Sequence, residues 1–326
     1  MPQQRNFHHM NKKGTSLMNI RVLATSTLVG PYIDELGLRF PELCVAPCRS
    51  SAWKAGLASA EALIVLLSEP LTEADLDLCP NLRVIGTYSV GINHLPITSC
   101  QSRGIRIVNT QGVLTDATAD LALTLLLSLT RRVREGEALV RSGHWKGWAP
   151  DLLLGTGLTG KTCGILGSGP IGRAFARRVW AIGMKVIFWN REGNQKPVDF
   201  GVDIAARLPL DELLRQSDVL SLHCPLTDTT RGLLNREKLD LLPHGAFLIN
   251  TARGGILDEQ AVMELLHQGK IGGVGLDVYE NEPDLDPQWL VAPRTVLLPH
   301  LGSATLETRE AMAKLLCDGI AESLLT

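Results

Sequence analysis

The chain has no long apolar run, no excess of charge of either sign and no paired cysteines, and each absence removes a class of function. Its most apolar stretch, residues 121–129, is interrupted by Thr124 and Ser128 and runs into Arg131-Arg132. That is too short to span a bilayer and reads as a buried helix. With 32 Lys and Arg against 34 Asp and Glu, the formal net charge is -2. Neither nucleic acid nor an anionic membrane is an expected partner. The seven cysteines are odd in number and dispersed without a Cys-x-x-Cys pair, which suits reduced thiols in a cytoplasmic protein better than a disulfide framework. His94, His144, His223, His244 and His267 have no ligand spacing, so no metal is expected. Residues 1–18 carry Arg5, Lys12 and Lys13 without an acid and without the apolar segment of a signal peptide, and they read as a disordered tail.

What is present is an alternation. At 326 residues the chain exceeds the size at which one core keeps growing, so two domains are expected. Runs of Val, Ile and Leu at 20–25, 62–67, 82–87 and 105–109 read as strands buried on both faces, with helices near 32–36 and 72–78. A long helix is expected over 116–140, with Asp116 as its N-cap. Further strands follow at 162–166, 185–189, 219–223, 246–250, 273–277 and 295–298, with a helix at 171–180 and a last one at 304–325. Repeated β-α-β units imply an open parallel sheet with right-handed crossovers.

Gly167-Ser168-Gly169-Pro170-Ile171-Gly172 stands between the strand at 162–166 and the helix after it. In that setting Gly167 permits the tight turn, Gly169 lets the backbone approach a pyrophosphate, and Gly172 lets helix and strand pack closely. The helix opening at Pro170 and Ile171 presents free N–H groups to the anion. At the end of the next strand come Asn190 and Arg191, where an NAD-specific site usually places a carboxylate for the ribose 2′-hydroxyl. A carboxylate 4 Å from a 2′-phosphate costs several kcal/mol, on the order of 4 at an effective dielectric near 20, so its absence matters. Arg191 can instead grip the phosphate with two parallel hydrogen bonds. The expected cofactor is therefore NADP(H), with NAD(H) admissible. Arg253, Glu282 and His300 supply a cation, a carboxylate and an imidazole further on, as needed to polarise and protonate a carbonyl.

Five segments carry a resemblance: the glycine loop, His223-Cys224-Pro225-Leu226-Thr227, Asn250-Thr251-Ala252-Arg253-Gly254-Gly255, Gly275-Leu276-Asp277-Val278-Tyr279-Glu280-Asn281-Glu282-Pro283 and Pro299-His300-Leu301-Gly302-Ser303. Together they resemble the signatures of the D-isomer-specific 2-hydroxyacid dehydrogenases, in the family's order, over nearly the whole chain from about Asn19. Ser89-Val90-Gly91 and Gly112-Val113-Leu114-Thr115-Asp116, with the Trp145 and Trp148 loop, are most similar to the glyoxylate/hydroxypyruvate reductase branch.

The resemblance implies an α/β fold of two Rossmann-like or flavodoxin-like domains with parallel sheets and the active site in the cleft between them. A substrate-binding domain would span 19–115 plus 302–326, and an NAD(P)-binding Rossmann domain 116–301. It implies His300 as general acid, Glu282 as the carboxylate fixing its tautomer, and Arg253 as the group that binds and polarises the substrate. Val90 and Gly91 would take the substrate carboxylate on their N–H groups. Thr115, Pro225, Thr251 and Asp277 would line the nicotinamide end, with Asp277 accepting from the carboxamide; Ala252, Arg253, His300 and Gly302 complete the cofactor contacts. The implied reaction is NADPH-dependent reduction of a small 2-oxo acid, glyoxylate or hydroxypyruvate, to the 2-hydroxy acid. The alternatives are 2-ketogluconate reduction and a non-catalytic, dinucleotide-sensing interaction protein. Two tryptophans within four residues of a Gly-rich loop point to a homodimer contact there.

Overall fold

The computed structural model describes residues 19–191 and 196–326; the tail expected over 1–18 lies outside them. The chain forms two compact units, one built from the described residues up to Leu114 together with Ala304–Thr326, the other from Thr115–Ser303. Among the described residues no helix is long and apolar enough to cross a membrane.

The first unit runs β1 (Val22–Ala24), α1 (Tyr32–Arg39), β2 (Cys44–Val45), α2 (Ser51–Leu57), β3 (Ala62–Val65), α3 (Glu73–Asp77), β4 (Val84–Thr87), α4 (Ile97–Ser102) and β5 (Arg106–Val108). The strands form one sheet in the order β2-β1-β3-β4-β5, every pair parallel. That is the flavodoxin-like doubly wound order. Trp53, Leu57, Leu63, Val65, Leu76 and Ile85 pack into a core on one side of it. The C-terminal helix, Leu306–Leu325, belongs to this unit, its start capped by the Thr305 hydroxyl accepting from the Thr308 N–H at 3.2 Å. It sits so close to the sheet that a β-carbon on Gly86 would meet Leu316 and Ile320, and one on Gly319 would meet Val108.

The second unit runs α5 (Thr115–Thr130), α6 (Val133–Arg141), β6 (Thr162–Leu166), α7 (Pro170–Ala181), β7 (Lys185–Trp189), β8 (Val198–Asp199), β9 (Ile204–Arg207), α8 (Leu210–Gln216), β10 (Val219–Leu222), α9 (Arg236–Asp240), β11 (Ala246–Asn250), α10 (Glu259–His267), β12 (Ile271–Leu276), α11 (Gln288–Val291) and β13 (Thr295–Leu297). The sheet order is β13-β12-β11-β10-β6-β7-β9-β8, parallel except for β8, which pairs antiparallel with β9 as an edge hairpin. Leaving that hairpin aside, strand order reverses between β6 and β10, and the carboxyl ends flanking such a switch point are where doubly wound sheets bind ligands. Side chains alternate across the sheet: Ile165, Val219 and Ile249 face α5 and α7, whereas Leu166, Leu220 and Leu248 face α8 to α10. Cutting a fully buried side chain such as Leu248 to Ala removes packing worth about 2–5 kcal/mol.

The single helix expected over 116–140 is two. Its break falls at Arg132, whose backbone is left-handed (φ 54°), and the freed Thr130 carbonyl accepts from the Thr156 N–H at 2.8 Å. The apolar pattern ran through a place where only this tertiary hydrogen bond marks a stop. Asp116 is not the N-cap, since α5 already begins at Thr115; Asp116 and Asp120 instead pair with Arg178 of α7 at 3.1 and 2.6 Å.

Candidate active site

The parallel register of the second unit sets the predicted residues along one edge. Leu166 is level with Trp189 on one side and Leu222 on the other, Leu222 with Asn250, Asn250 with Leu276, and Leu276 with Leu297. The residues that follow these strand ends therefore line up as Asn190, Gly167, His223, Thr251, Asp277 and, beyond β13, His300.

The glycine loop has the geometry of a phosphate cradle. Gly167 is at φ +109°, and a β-carbon there would lie 2.6 Å from the His223 carbonyl oxygen. One on Gly172 would lie 2.0 Å from the Gly167 carbonyl oxygen, whereas beside Gly169 there is open space. Gly169 starts α7 in extended conformation, Pro170 occupies its first turn, and no side chain caps it. Its first N–H groups are thus free to meet an anion. Two side-chain oxygens along the edge, Asn190 Oδ1 and Thr251 Oγ1, are buried without a hydrogen-bond partner among the described residues. Buried polar atoms are nearly always satisfied, so two orphans on a ligand-binding edge fit a dinucleotide that brings its own donors. Arg191 is exposed and has no hydrogen bond or ion pair among the described residues. Arg207, at the end of β9, reaches the Ser168 hydroxyl at 3.3 Å, and Arg173 donates to the Ser168 carbonyl at 2.8 Å.

Arg253, Glu282 and His300 form the second half of the site. The turn that presents Arg253 is shaped by Asn250, whose Oδ1 accepts from the Ala252 N–H and whose Nδ2 donates to the Arg253 carbonyl, both at 2.9 Å. The Arg253 guanidinium is half-buried; its one hydrogen bond among the described residues is to the Ala252 carbonyl at 2.6 Å. Burial pulls its pKa down while the charge of Glu282 opposes that, so cation and carboxylate act on each other. His300 Nδ1 lies 2.7 Å from Glu282 Oε2, and Glu282 Oε1 accepts from the Tyr279 N–H at 2.9 Å. Burial pushes Glu282 up, but the His300 hydrogen bond and charge, the Tyr279 N–H and the Arg253 charge outweigh it and hold the carboxyl below its ordinary range. With Nδ1 engaged, Nε2 of His300 has no partner among the described residues, and the side chain keeps 30% of its surface. A carboxylate-backed imidazole with one free nitrogen can give or take a proton.

Of the remaining residues, Thr115 opens α5 half-buried, Pro225 is exposed, Ala252 is half-buried and Thr251 is buried. Asp277 is 1% exposed, and its two oxygens accept from the N–H groups of Leu301 and Gly302 at 2.6 and 2.8 Å. Val90 and Gly91 lie in the first unit, in the turn after β4. Ser89 Oγ donates to the Gly91 carbonyl at 2.7 Å and Asn109 Nδ2 to the Val90 carbonyl at 2.9 Å, leaving both N–H groups without an acceptor among the described residues.

Sequence reasoning missed three supporting residues. Asn250 makes an Asx turn two residues ahead, a signal readable in Asn-Thr-Ala. Glu259 accepts from the Glu280 N–H and the Trp289 Nε1–H at 2.8 and 2.9 Å, holding the loop that carries Glu282. Thr118 donates to the Gly302 carbonyl at 3.0 Å. The last two bridge residues 21 to 184 positions apart, and no local pattern announces them. Among the described residues no group of three His, Cys, Asp or Glu side chains is placed to hold a metal ion.

Comparison with known proteins agrees with this geometry. Residues 123–302 match the profile of the D-isomer specific 2-hydroxyacid dehydrogenase NAD binding domain. The chain is 43% identical over 264 residues to the glyoxylate reductase of Thermococcus litoralis, covering 80% of this chain and 79% of that one. Its structure superposes on a glyoxylate reductase from Paecilomyes thermophila with a TM-score of 0.85 at 31% identity, over 94% of this chain and 95% of that one. An NADPH-dependent glyoxylate/hydroxypyruvate reductase from Sinorhizobium meliloti, solved with NADP and malonate, gives a TM-score of 0.81 at 32% identity over 93% of each chain. The chain belongs to the D-isomer specific 2-hydroxyacid dehydrogenase family and is a dinucleotide-binding 2-hydroxyacid dehydrogenase.

Proposed function

We propose that the protein reduces a small 2-oxo acid, glyoxylate or hydroxypyruvate, to the corresponding 2-hydroxy acid with NADPH as the preferred cofactor. The observation that carries this reading is the His300–Glu282 pair at 2.7 Å, whose carboxylate also acts on a half-buried Arg253 that has no carboxylate within ion-pair distance among the described residues. The glycine loop, the uncapped start of α7, Asn190 and Thr251 would hold the dinucleotide, with Arg191 on its 2′-phosphate. When bound, that group supplies the hydride. Arg253 holds the substrate and draws electron density toward the carbonyl oxygen, where negative charge grows in the transition state. His300 delivers a proton from Nε2 to that oxygen, and Glu282 keeps the imidazole in the tautomer and orientation that allow it. The N–H groups of Val90 and Gly91 serve the substrate carboxylate. Support for the substrate class comes from relatives named glyoxylate reductase, and for the cofactor from the NADPH-dependent relative solved with NADP.

The working form is a homodimer joined through the second unit. Helix α6 buries none of its residues, Trp145 and Trp148 are 54% and 84% exposed, and Val140 and Leu154 are exposed beside them. Apolar surface of this size on a loop favours a partner. Sedimentation of the wild type against the Trp145→Ala/Trp148→Ala variant tests it; a wild type monomeric at micromolar concentration refutes it. The catalytic reading is tested by NADPH oxidation with glyoxylate, hydroxypyruvate and 2-ketogluconate side by side. Turnover of glyoxylate or hydroxypyruvate at ordinary enzyme rates excludes a purely sensory protein. A marked preference for 2-ketogluconate moves the enzyme to that alternative.

A further inference from the structure

We propose that Asp277 is a positioning residue for His300, which, together with Thr118, clamps the turn Pro299-His300-Leu301-Gly302-Ser303 and thereby sets the imidazole against Glu282. This rests on the reading of His300 as the general acid.

The backbone of His300 is left-handed, at φ +58°. For a residue with a β-carbon that conformation is uncommon and unfavourable, so the surroundings must impose it. The imposing contacts come from one residue. The His300 N–H donates to the Asp277 carbonyl at 2.9 Å, the Leu301 N–H to Oδ1 at 2.6 Å and the Gly302 N–H to Oδ2 at 2.8 Å. Three consecutive backbone donors thus converge on Asp277, which is itself fixed because its own N–H donates to the Asn250 carbonyl at 2.9 Å. On the other side of the turn the Gly302 carbonyl accepts from Thr118 Oγ1 at 3.0 Å, on the first turns of α5. Charge-assisted bonds accepted by a buried carboxylate are stronger than neutral ones, and removing the carboxylate leaves backbone N–H groups unpaired. The clamp therefore fixes the strained backbone of the general acid from β12 and α5, the two elements flanking it, without touching the reacting atoms.

Asp277→Asn keeps the shape of the side chain but replaces one acceptor with a donor facing an N–H. Misplacing the acid by an ångström costs on the order of 10²-fold, so kcat for glyoxylate should fall by about that factor. In the His300→Gln background Asp277→Asn should cost almost nothing more, because a residue that acts through another is silent once the other is gone. Thr118→Val should lower kcat by roughly tenfold for the one hydrogen bond lost, and Thr118→Ser should restore it. A readout independent of turnover is the proton resonance of the His300 Nδ1–H, which should lose its downfield, hydrogen-bonded position in Asp277→Asn as the pair with Glu282 loosens. The proposal is overturned by an equal loss in both backgrounds or by an unmoved Nδ1–H resonance. A wild type that turns over no 2-oxo acid overturns the functional reading instead, and the resonance still decides the clamp.

Discussion

The two ends of the ligand-binding edge of the eight-stranded sheet are built on opposite principles. At the end after β11, β12 and β13, the chemistry-bearing groups are held by partners, Thr251 Oγ1 apart: Asn250 shapes the Arg253 turn, Tyr279 and His300 share the Glu282 carboxylate, and Asp277 and Thr118 hold the turn beneath His300. At the end after β6 and β7, polar groups are left waiting: Asn190 Oδ1 is buried without a partner, Arg191 is exposed and unpaired among the described residues, and the start of α7 is uncapped. Catalytic groups gain from being fixed before substrate arrives, because reorganisation during the reaction is costly. Recognition groups must keep their hydrogen bonds in reserve for the ligand. Substitutions should accordingly act on kcat at one end and on cofactor KM at the other.

The largest effect is expected from His300→Gln, which removes the proton donor and should lower kcat/KM by roughly 10³- to 10⁴-fold with NADPH binding intact. Arg253→Ala follows, with a loss of roughly 10²- to 10³-fold from the group that meets the growing negative charge. Both are read from initial rates with glyoxylate beside NADPH fluorescence titration. Unchanged activity of His300→Gln at neutral pH would remove the assignment, and a parallel loss of NADPH affinity would erase the contrast between the two ends.

Glu282→Gln should cost less, since the imidazole stays in place, but it should change the pH dependence. Without the carboxylate the protonated imidazole loses a stabilising charge, so the alkaline limb of the reduction profile should move to lower pH by about one unit or more. The acid side follows from the depressed Glu282 carboxyl. Its charge, and the stability it lends the fold, is fully present above the carboxyl range of an unfolded chain and is lost only as pH falls through the lower folded value. A pH–rate profile identical to that of the wild type would show that the carboxylate orients His300 without acting through its charge.

Much of this molecule was legible because its signals are local. Buried strands announce themselves as Val, Ile and Leu runs, and the glycine loop is a strand-turn-helix unit whose steric demands fall on Gly167 and Gly172. Arg253, Glu282 and His300 stood out as chemistry-bearing residues, each just beyond a strand end, and parallel register then carried them to one edge. What was not legible depends on distant partners. The break at Arg132 follows from a hydrogen bond between Thr130 and Thr156, and the antiparallel β8–β9 edge is too short for a periodic signal. The enclosure of Asp277 by Leu301 and Gly302 joins residues 24 and 25 positions apart, which no window of the sequence spans.

The smallest expected effect lies at the cofactor end. Asn190 puts no carboxylate at the strand end to repel a 2′-phosphate, and Arg191 is exposed with no partner among the described residues, so its guanidinium can pair with one. A partly exposed charge-assisted contact contributes ~1.5–3 kcal/mol, so NADPH should be preferred over NADH by roughly ten- to a hundredfold in kcat/KM. Arg191→Ala should remove about a factor of ten of that preference by raising the KM for NADPH, with kcat and the KM for NADH little changed. Asn190→Asp should act from the other side, giving the 2′-hydroxyl of NADH an acceptor while repelling the phosphate of NADPH. Initial rates with each cofactor at saturating glyoxylate and fixed ionic strength measure both, since salt screens an exposed pair. Equal efficiency of the wild type with the two cofactors would mean that Arg191 stays in solvent. The waiting groups at this end would then serve the adenosine common to both cofactors, and the orphaned Asn190 oxygen would be the group that meets its ribose.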